Sequence, residues 1–241
     1  MLPFVVTLET LGSLQARIVA PRDDIPVERV VVLLHGFGAP GDDLVALARE
    51  LPLAAGTRYV FAEAPIDLGG GRAWWNIDWQ ERARYERSGD WQGYTRLVPE
   101  GLEAANHAVN TLLDVIEKKW HVPPHQIVLG GFSQGAMMTV DVAARRAHKP
   151  RMLVLLSGAL VATPHWVPEA GTLKGVQIFQ SHGTADQTLP LSQAEKLRDQ
   201  LGAAGARVAW MTFAGGHAIP REVLNALRSF LFEADGTFAA P

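Results

Sequence analysis

Ser133 lies between two glycines in Gly131-Phe132-Ser133-Gln134-Gly135, and no other residue of this chain stands in a setting so suited to chemistry. The apolar run Ile127–Leu129 precedes it and the helix-like segment Ala136–Arg146 follows. A serine at a sharp strand-to-helix turn projects its hydroxyl into a cleft, and the next backbone N–H, that of Gln134, then points to where an oxyanion would form. Side chains two residues to either side would collide with neighbouring backbone, which accounts for the glycines. The chemistry such a turn serves is nucleophilic attack on a carbonyl, with the charge of the tetrahedral intermediate held by amides.

A serine hydroxyl needs a base, and the base needs an orienting acid. In folds carrying such a turn the acid follows the serine and the histidine comes last. The aspartates after Ser133 are Asp141, Asp186, Asp199 and Asp235. Asp141 falls in the helix after the turn, Asp199 on a charged helix face, and Asp235 beyond the last histidine. Asp186 sits in Ser181-His182-Gly183-Thr184-Ala185-Asp186, expected as a loop leaving the strand Val176–Gln180, at the carboxyl end where sites of open α/β sheets form. Its alternative role is capping the helix that follows. His217, in Gly215-Gly216-His217, follows the strand Val208–Phe213 and is the candidate base. His148, His165 and His182 also follow the serine, but His182, four residues before Asp186, reads as a hydrogen-bonder that shapes the acid loop. The second oxyanion donor is expected in His35-Gly36-Phe37-Gly38, after the strand Val30–Leu34, at the backbone N–H of Phe37. His35 itself reads as a support at the strand end.

The elements that must position these groups are visible as an alternation. Strands are expected at Phe4–Leu8, Leu14–Val19, Val30–Leu34, Tyr59–Phe61, Ile127–Gly131, Met152–Leu156, Val176–Gln180 and Val208–Phe213. The runs Val30–Leu34 and Met152–Leu156 are apolar throughout, as strands buried on both faces of a parallel sheet are. Helices are expected over Leu44–Leu51, capped by Asp42 or Asp43, over Leu102–Trp120, from a Ser192/Glu195 capping box to Leu201, and from Pro220 through Phe230. The fold class is therefore α/β: a mostly parallel central sheet with helices on both faces, and the first two strands as an antiparallel N-terminal hairpin at one edge. Without repeats or linker-like stretches, residues 1–241 read as one domain. The segment 68–99 breaks the rhythm as a long aromatic-rich insertion with Trp74, Trp75, Trp79, Tyr85 and Trp91, four of the chain's seven tryptophans among them. It is a candidate flap over the substrate, and Phe37, Trp74, Trp75, Met137 and Leu189 are candidate lining for an apolar pocket. Its charged residues would suit the solvent side of a short helix.

Composition narrows the function classes. The 241 residues, 48% of them hydrophobic, suffice for a sizeable core. A net charge of −3 offers no electrostatic footprint for nucleic acid. The absence of cysteine excludes a disulfide framework, a cysteine nucleophile and thiolate metal sites. The N-terminal residues have no basic region of a signal peptide, and no apolar run is long enough to span a bilayer, so a cytoplasmic protein is expected.

Five motifs stand in order: Leu33-Leu34-His35-Gly36-Phe37-Gly38, Ala62-Glu63-Ala64-Pro65, Leu129-Gly130-Gly131-Phe132-Ser133-Gln134-Gly135, His182-Gly183 through Asp186 to Pro190, and Gly216-His217. Together, over roughly Val30 to Leu231, the chain resembles the phospholipase/carboxylesterase family of α/β-hydrolases, which includes the acyl-protein thioesterases. The resemblance implies an α/β-hydrolase fold, Ser133 as nucleophile, Asp186 as acid, His217 as base, and backbone donors at Phe37 and Gln134. It implies a serine carboxylesterase acting on short- to medium-chain or lysophospholipid-like esters through an acyl-enzyme, with no cofactor and no metal. The expected partner is a small-molecule ester; no nucleic acid and no membrane span are expected, and the protein would be a monomer or a homodimer. Arg72-Ala73-Trp74-Trp75-Asn76 is similar to the family's Ser-Trp-aromatic-Asp loop beside the pocket, with Asn76 in place of the acid and a longer insertion after it. An acyl thioesterase would use the same residues. A peptidase on this fold would need more leaving-group assistance, and a non-catalytic binding module would be expected to lack one of Ser133, Asp186 or His217.

Overall fold

The computed structural model describes residues 4–21, 25–51, 55–166 and 171–236. Ten strands, eight α-helices and a short 3-10 turn at Pro124–Gln126 follow one another along them. β1 (Phe4–Leu11) and β2 (Leu14–Pro21) form a hairpin; β3 (Arg29–Leu34), α1 (Leu47–Glu50) and β4 (Thr57–Ala62) follow. A small hairpin of β5 (Ile66–Asp67) and β6 (Arg72–Ala73) leads to α2 (Trp79–Ser88), α3 (Trp91–Arg96) and the long α4 (Leu102–Trp120). Then come β7 (Ile127–Phe132), α5 (Gln134–Arg145), β8 (Met152–Leu156), α6 (Thr163–Trp166), β9 (Gln177–Gly183), α7 (Leu191–Ala203), β10 (Arg207–Phe213) and α8 (Arg221–Gly236).

Eight strands make one sheet in the order β1-β2-β4-β3-β7-β8-β9-β10. From β4 to β10 every neighbour is parallel, and β1, β2 and β4 pair antiparallel. The alternation of side chains along a strand divides the core in two. Val30, Val32 and Leu34 pack on one face with α4, α5 and α7; Val31 and Leu33 pack on the other with α1 and α8. The α4 stripe of Leu102, Ala105, Val109, Leu112, Ile116 and Trp120 faces the core as its spacing predicts, the first five buried and Trp120 partly so. Among the described residues no helix is long and apolar enough to cross a membrane.

Several boundaries differ from expectation, each for a local reason. The apolar stripe Leu44–Leu51 is buried as read, but only Leu47–Glu50 is helical and neither Asp42 nor Asp43 caps it; the N-cap position is Ala46. Leu51, which precedes Pro52 in the sequence, has already left the helical region (φ −116°, ψ 61°). α7 starts at Leu191 from Pro190 without a side-chain cap, so Ser192 lies inside its first turn and the capping box does not form. β9 runs on through His182 to Gly183, which puts His182 on the strand rather than in the loop.

The insertion is built rather than loose. Asp78 accepts from the N–H groups of Gln80 and Glu81 at the start of α2, and Gly89 ends that helix in the left-handed region (φ 70°). Asp90 then caps α3 through the Gly93 N–H at 2.8 Å. The charges read as a solvated face do lie mostly outward on α2, Arg82 being its one buried residue.

Candidate active site

The segments with chemistry-bearing residues leave β3, β7, β9 and β10, which run parallel within the sheet. Their carboxyl ends therefore open on one edge.

At the end of β7, Ser133 has φ 54° and ψ −117°, a conformation that costs a non-glycine residue about 1–3 kcal/mol. The surroundings hold it there. Its N–H donates to the Leu156 carbonyl at 2.9 Å, and its own carbonyl accepts from Ala136 and Met137 at 3.0 and 3.1 Å. A Cβ at Gly135 would run into the Leu34 and His35 carbonyls, and one at Gly131 into the backbone of Gly135 and Leu34. Both glycines thus let α5 begin hard against the end of β3. The N–H groups of Gln134, first in α5, and of Phe37, after β3, have no acceptor among the described residues. The Phe37 loop is pinned by the Gly38 N–H donating to the Arg72 carbonyl at 2.8 Å.

Asp186 is 8% exposed and both its oxygens are engaged. Oδ1 accepts from the Thr188 and Leu189 N–H groups at 2.8 and 2.9 Å. Oδ2 lies 2.7 Å from His217 Nδ1. A carboxylate acceptor there places the imidazole proton on Nδ1 and leaves Nε2 a bare lone pair, the tautomer a base requires. The two loops are tied together: Thr184 and Ala185 donate to the Phe213 and Gly215 carbonyls, each at 2.9 Å. Gly183 makes that approach possible, since a Cβ would meet the Gly215 and Gly216 carbonyls. The Phe132 ring packs on the His217 ring with centroids 4.8 Å apart.

The two remaining buried histidines serve the frame. His182 Nε2 is 2.9 Å from the Leu189 carbonyl and 3.3 Å from Asp186 Oδ2, while its Nδ1 has no partner among the described residues. Burial holds its pKa below the usual imidazole value. His35 donates from Nδ1 to the Gly36 carbonyl at 2.7 Å and accepts the Ala64 N–H on Nε2 at 3.0 Å; burial lowers its pKa too. Neither lines the cavity.

Ser133, Gln134, His217 and Phe37 open on one cavity of about 580 Å³, inside the range of roughly 300–1,000 Å³ that small-molecule sites occupy. Of the pocket residues expected from sequence, Phe37, Trp75, Met137 and Leu189 line it. Trp74 does not. It is fully buried beneath, its indole N–H donating to the His35 carbonyl at 2.9 Å. The two tryptophans sit at a bend just past β6, which directs one indole beneath the cavity and the other into its wall. The insertion contributes Ile77, Trp79, Trp91 and Leu97 to the cavity wall, and Trp79 stands edge-on to Phe37 with centroids 5.7 Å apart.

Two supporting side chains were not singled out from sequence. Gln134 is 3% exposed; its Oε1 accepts the Trp74 N–H at 2.9 Å and its Nε2 donates to the Trp75 carbonyl at 2.8 Å. Arg82 of α2 donates to the Thr188 carbonyl. The sequence signal for the first was its place in the turn, for the second only a charge in an aromatic segment. Among the described residues no group of three or more His, Asp or Glu could hold a metal ion.

Comparison with known proteins gives the family. The phospholipase/carboxylesterase family model matches residues 14–234. Acyl-protein thioesterase 1 of Eremothecium gossypii is 29% identical over 181 residues, covering 70% of this chain and 71% of that protein. The Kluyveromyces lactis acyl-protein thioesterase 1 is 30% identical over 179 residues, 69% of this chain and 73% of its own. Among solved structures, a carboxylesterase from Mesorhizobium loti superposes with a TM-score of 0.77 at 21% identity, covering 94% of this chain and 98% of its own, a likeness of fold. The chain belongs to the phospholipase/carboxylesterase family and is a hydrolase of the α/β-hydrolase fold.

Proposed function

From that membership we propose that the protein hydrolyses carboxylic esters of small molecules through an acyl-enzyme on Ser133. The observation that carries the reading is His217, paired with buried Asp186 at 2.7 Å, lining the same cavity as Ser133. His217 Nε2 takes the hydroxyl proton as Ser133 Oγ bonds to the ester carbonyl carbon. The carbonyl oxygen becomes an oxyanion and accepts from the Phe37 and Gln134 amides. As the tetrahedral adduct collapses, the carbon–oxygen bond to the alcohol breaks and the imidazolium returns the proton to the departing oxygen. Water then adds to the acyl carbon, giving its proton to His217. Collapse frees the carboxylic acid and the proton goes back to Ser133. Asp186 stays ionised throughout and holds the imidazolium.

A second reading, thioester hydrolysis, is supported by the relatives named acyl-protein thioesterase 1. It uses the same groups, with a thiol leaving. Ser133→Ala should lower kcat for p-nitrophenyl butyrate by about a thousandfold or more and abolish labelling by a fluorophosphonate. Hydrolysis at the wild-type rate would reject the assignment. Running butyryl ester beside butyryl thioester, by kcat/KM, decides between the two leaving groups.

A further inference from the structure

Arg82 belongs to the insertion, yet its guanidinium ends at the acid loop. It is the buried residue of α2, 9% exposed. Its Nε donates to Glu86 Oε1 at 2.8 Å, its Cζ stands 5.6 Å from the Trp79 ring centroid, and its Nη2 donates to the Thr188 carbonyl. That carbonyl and the Leu189 N–H are the two ends of one planar peptide unit. The same Leu189 N–H donates to Asp186 Oδ1 at 2.9 Å. A cation on the oxygen of a peptide polarises the unit, strengthens its N–H as a donor and fixes its plane.

We propose that Arg82 is a positioning residue for the acid: it locks the Thr188–Leu189 peptide that presents the Asp186 carboxylate to His217, so the insertion helix acts as a strut from the aromatic wall to the triad. The proposal rests on the ester-hydrolase reading above. Leu189 is held from its other side as well, since its carbonyl accepts from His182 Nε2 at 2.9 Å. The peptide groups flanking Leu189 are thus anchored from two directions, one by a strand of the sheet and one by α2. Removing Arg82 leaves the Thr188 carbonyl without this donor and lets the peptide rotate, which loosens Oδ1 and with it the aim of Oδ2.

The test compares Arg82→Leu, Arg82→Lys and Glu86→Gln on p-nitrophenyl acetate, a substrate too small to depend on the aromatic wall, with p-nitrophenyl octanoate and the rate of fluorophosphonate labelling alongside. Arg82→Leu should lose about tenfold in kcat on acetate, the order expected for one charge-assisted hydrogen bond behind a catalytic group. KM should stay within about twofold, as when an interaction felt only in the transition state is removed. Labelling should slow in the same ratio. Arg82→Lys, which keeps a donor, should fall between Arg82→Leu and wild type. Wild-type kcat and labelling in Arg82→Leu, with KM raised only for octanoate, would overturn the proposal and leave Arg82 as wall alone. Should Arg82→Leu lack a cooperative melt, Glu86→Gln and Arg82→Lys decide: a smaller loss of kcat at unchanged KM supports the strut, and unchanged kcat in both overturns it. Ser133→Ala separates this from the underlying reading. If it stays active the triad itself fails; if it is dead while the Arg82 set is unchanged, only the strut fails.

Discussion

At the residue scale the turn around Ser133 is a steric argument that can be checked at single atoms. A Cβ added at Gly135 meets two backbone carbonyls that belong to β3 and its exit, with no flexible side chain to yield. Gly135→Ala is expected to destabilise by roughly 2–4 kcal/mol and to lower the soluble yield. Gly202 offers the opposite case. It lies in α7, exposed, with ordinary helical backbone and nothing within 4 Å of an added Cβ. Gly202→Ala should stabilise by about 0.5–1 kcal/mol. Thermal melts of the two variants beside wild type check both signs at once. Chemical type and chain order were enough to bring Ser133, Asp186 and His217 forward. The order does not say that His182 would share the same carboxylate, because a strand ending three residues later than expected carries it inward.

At the element scale the insertion is where sequence reasoning was thinnest. Aromatic density marked the segment as important, but periodicity is weak across a two-residue hairpin strand and helices of ten and six residues. Caps made by Asp78 and Asp90 define those helices locally. What docks them is tertiary. Gln134 fixes the chain entering the insertion by bonding the Trp74 N–H and the Trp75 carbonyl with one amide. Gln134→Met keeps the volume and leaves two buried backbone groups without partners. A loss of about 2–4 kcal/mol is expected, each orphaned group costing about 1–2, which lowers Tm by roughly 4–16 °C at this chain length. Calorimetry reads the loss. An unchanged Tm would mean that the amide clamp contributes nothing to docking.

At the scale of the whole molecule the two buried histidines tie stability to pH. Both His35 and His182 have folded-state pKa values held below the unfolded value by burial. Between each folded value and about 6.5 the unfolded chain therefore binds more protons than the native one, and stability falls as pH falls. Their contribution is complete above about pH 6.5 and is lost as pH drops through the folded values. Asp43 and Asp141 act in the other sense, since burial raises their pKa values and favours the native state at acid pH. Their contribution fades as pH rises through those raised values. Below about pH 6.5 the wild-type Tm should fall with pH more steeply than that of His182→Gln, which can still donate to the Leu189 carbonyl but has no imidazole to protonate. An equal slope in the variant would assign the acid sensitivity elsewhere.

By itself the sequence determined the α/β alternation, the parallel strands buried on both faces, the hairpin at one edge and the chain order of the candidate site. Those follow from local causes: residue period, apolar runs, glycines at a crowded turn. Only the tertiary structure decided that Trp75 faces the cavity while Trp74 lies under it, that the insertion supplies part of the cavity wall, and that Arg82 reaches a peptide 106 residues away in sequence. Burial and long-range hydrogen bonding depend on which elements meet across the sheet edge. No pattern of period two or 3.6 within a segment carries that information.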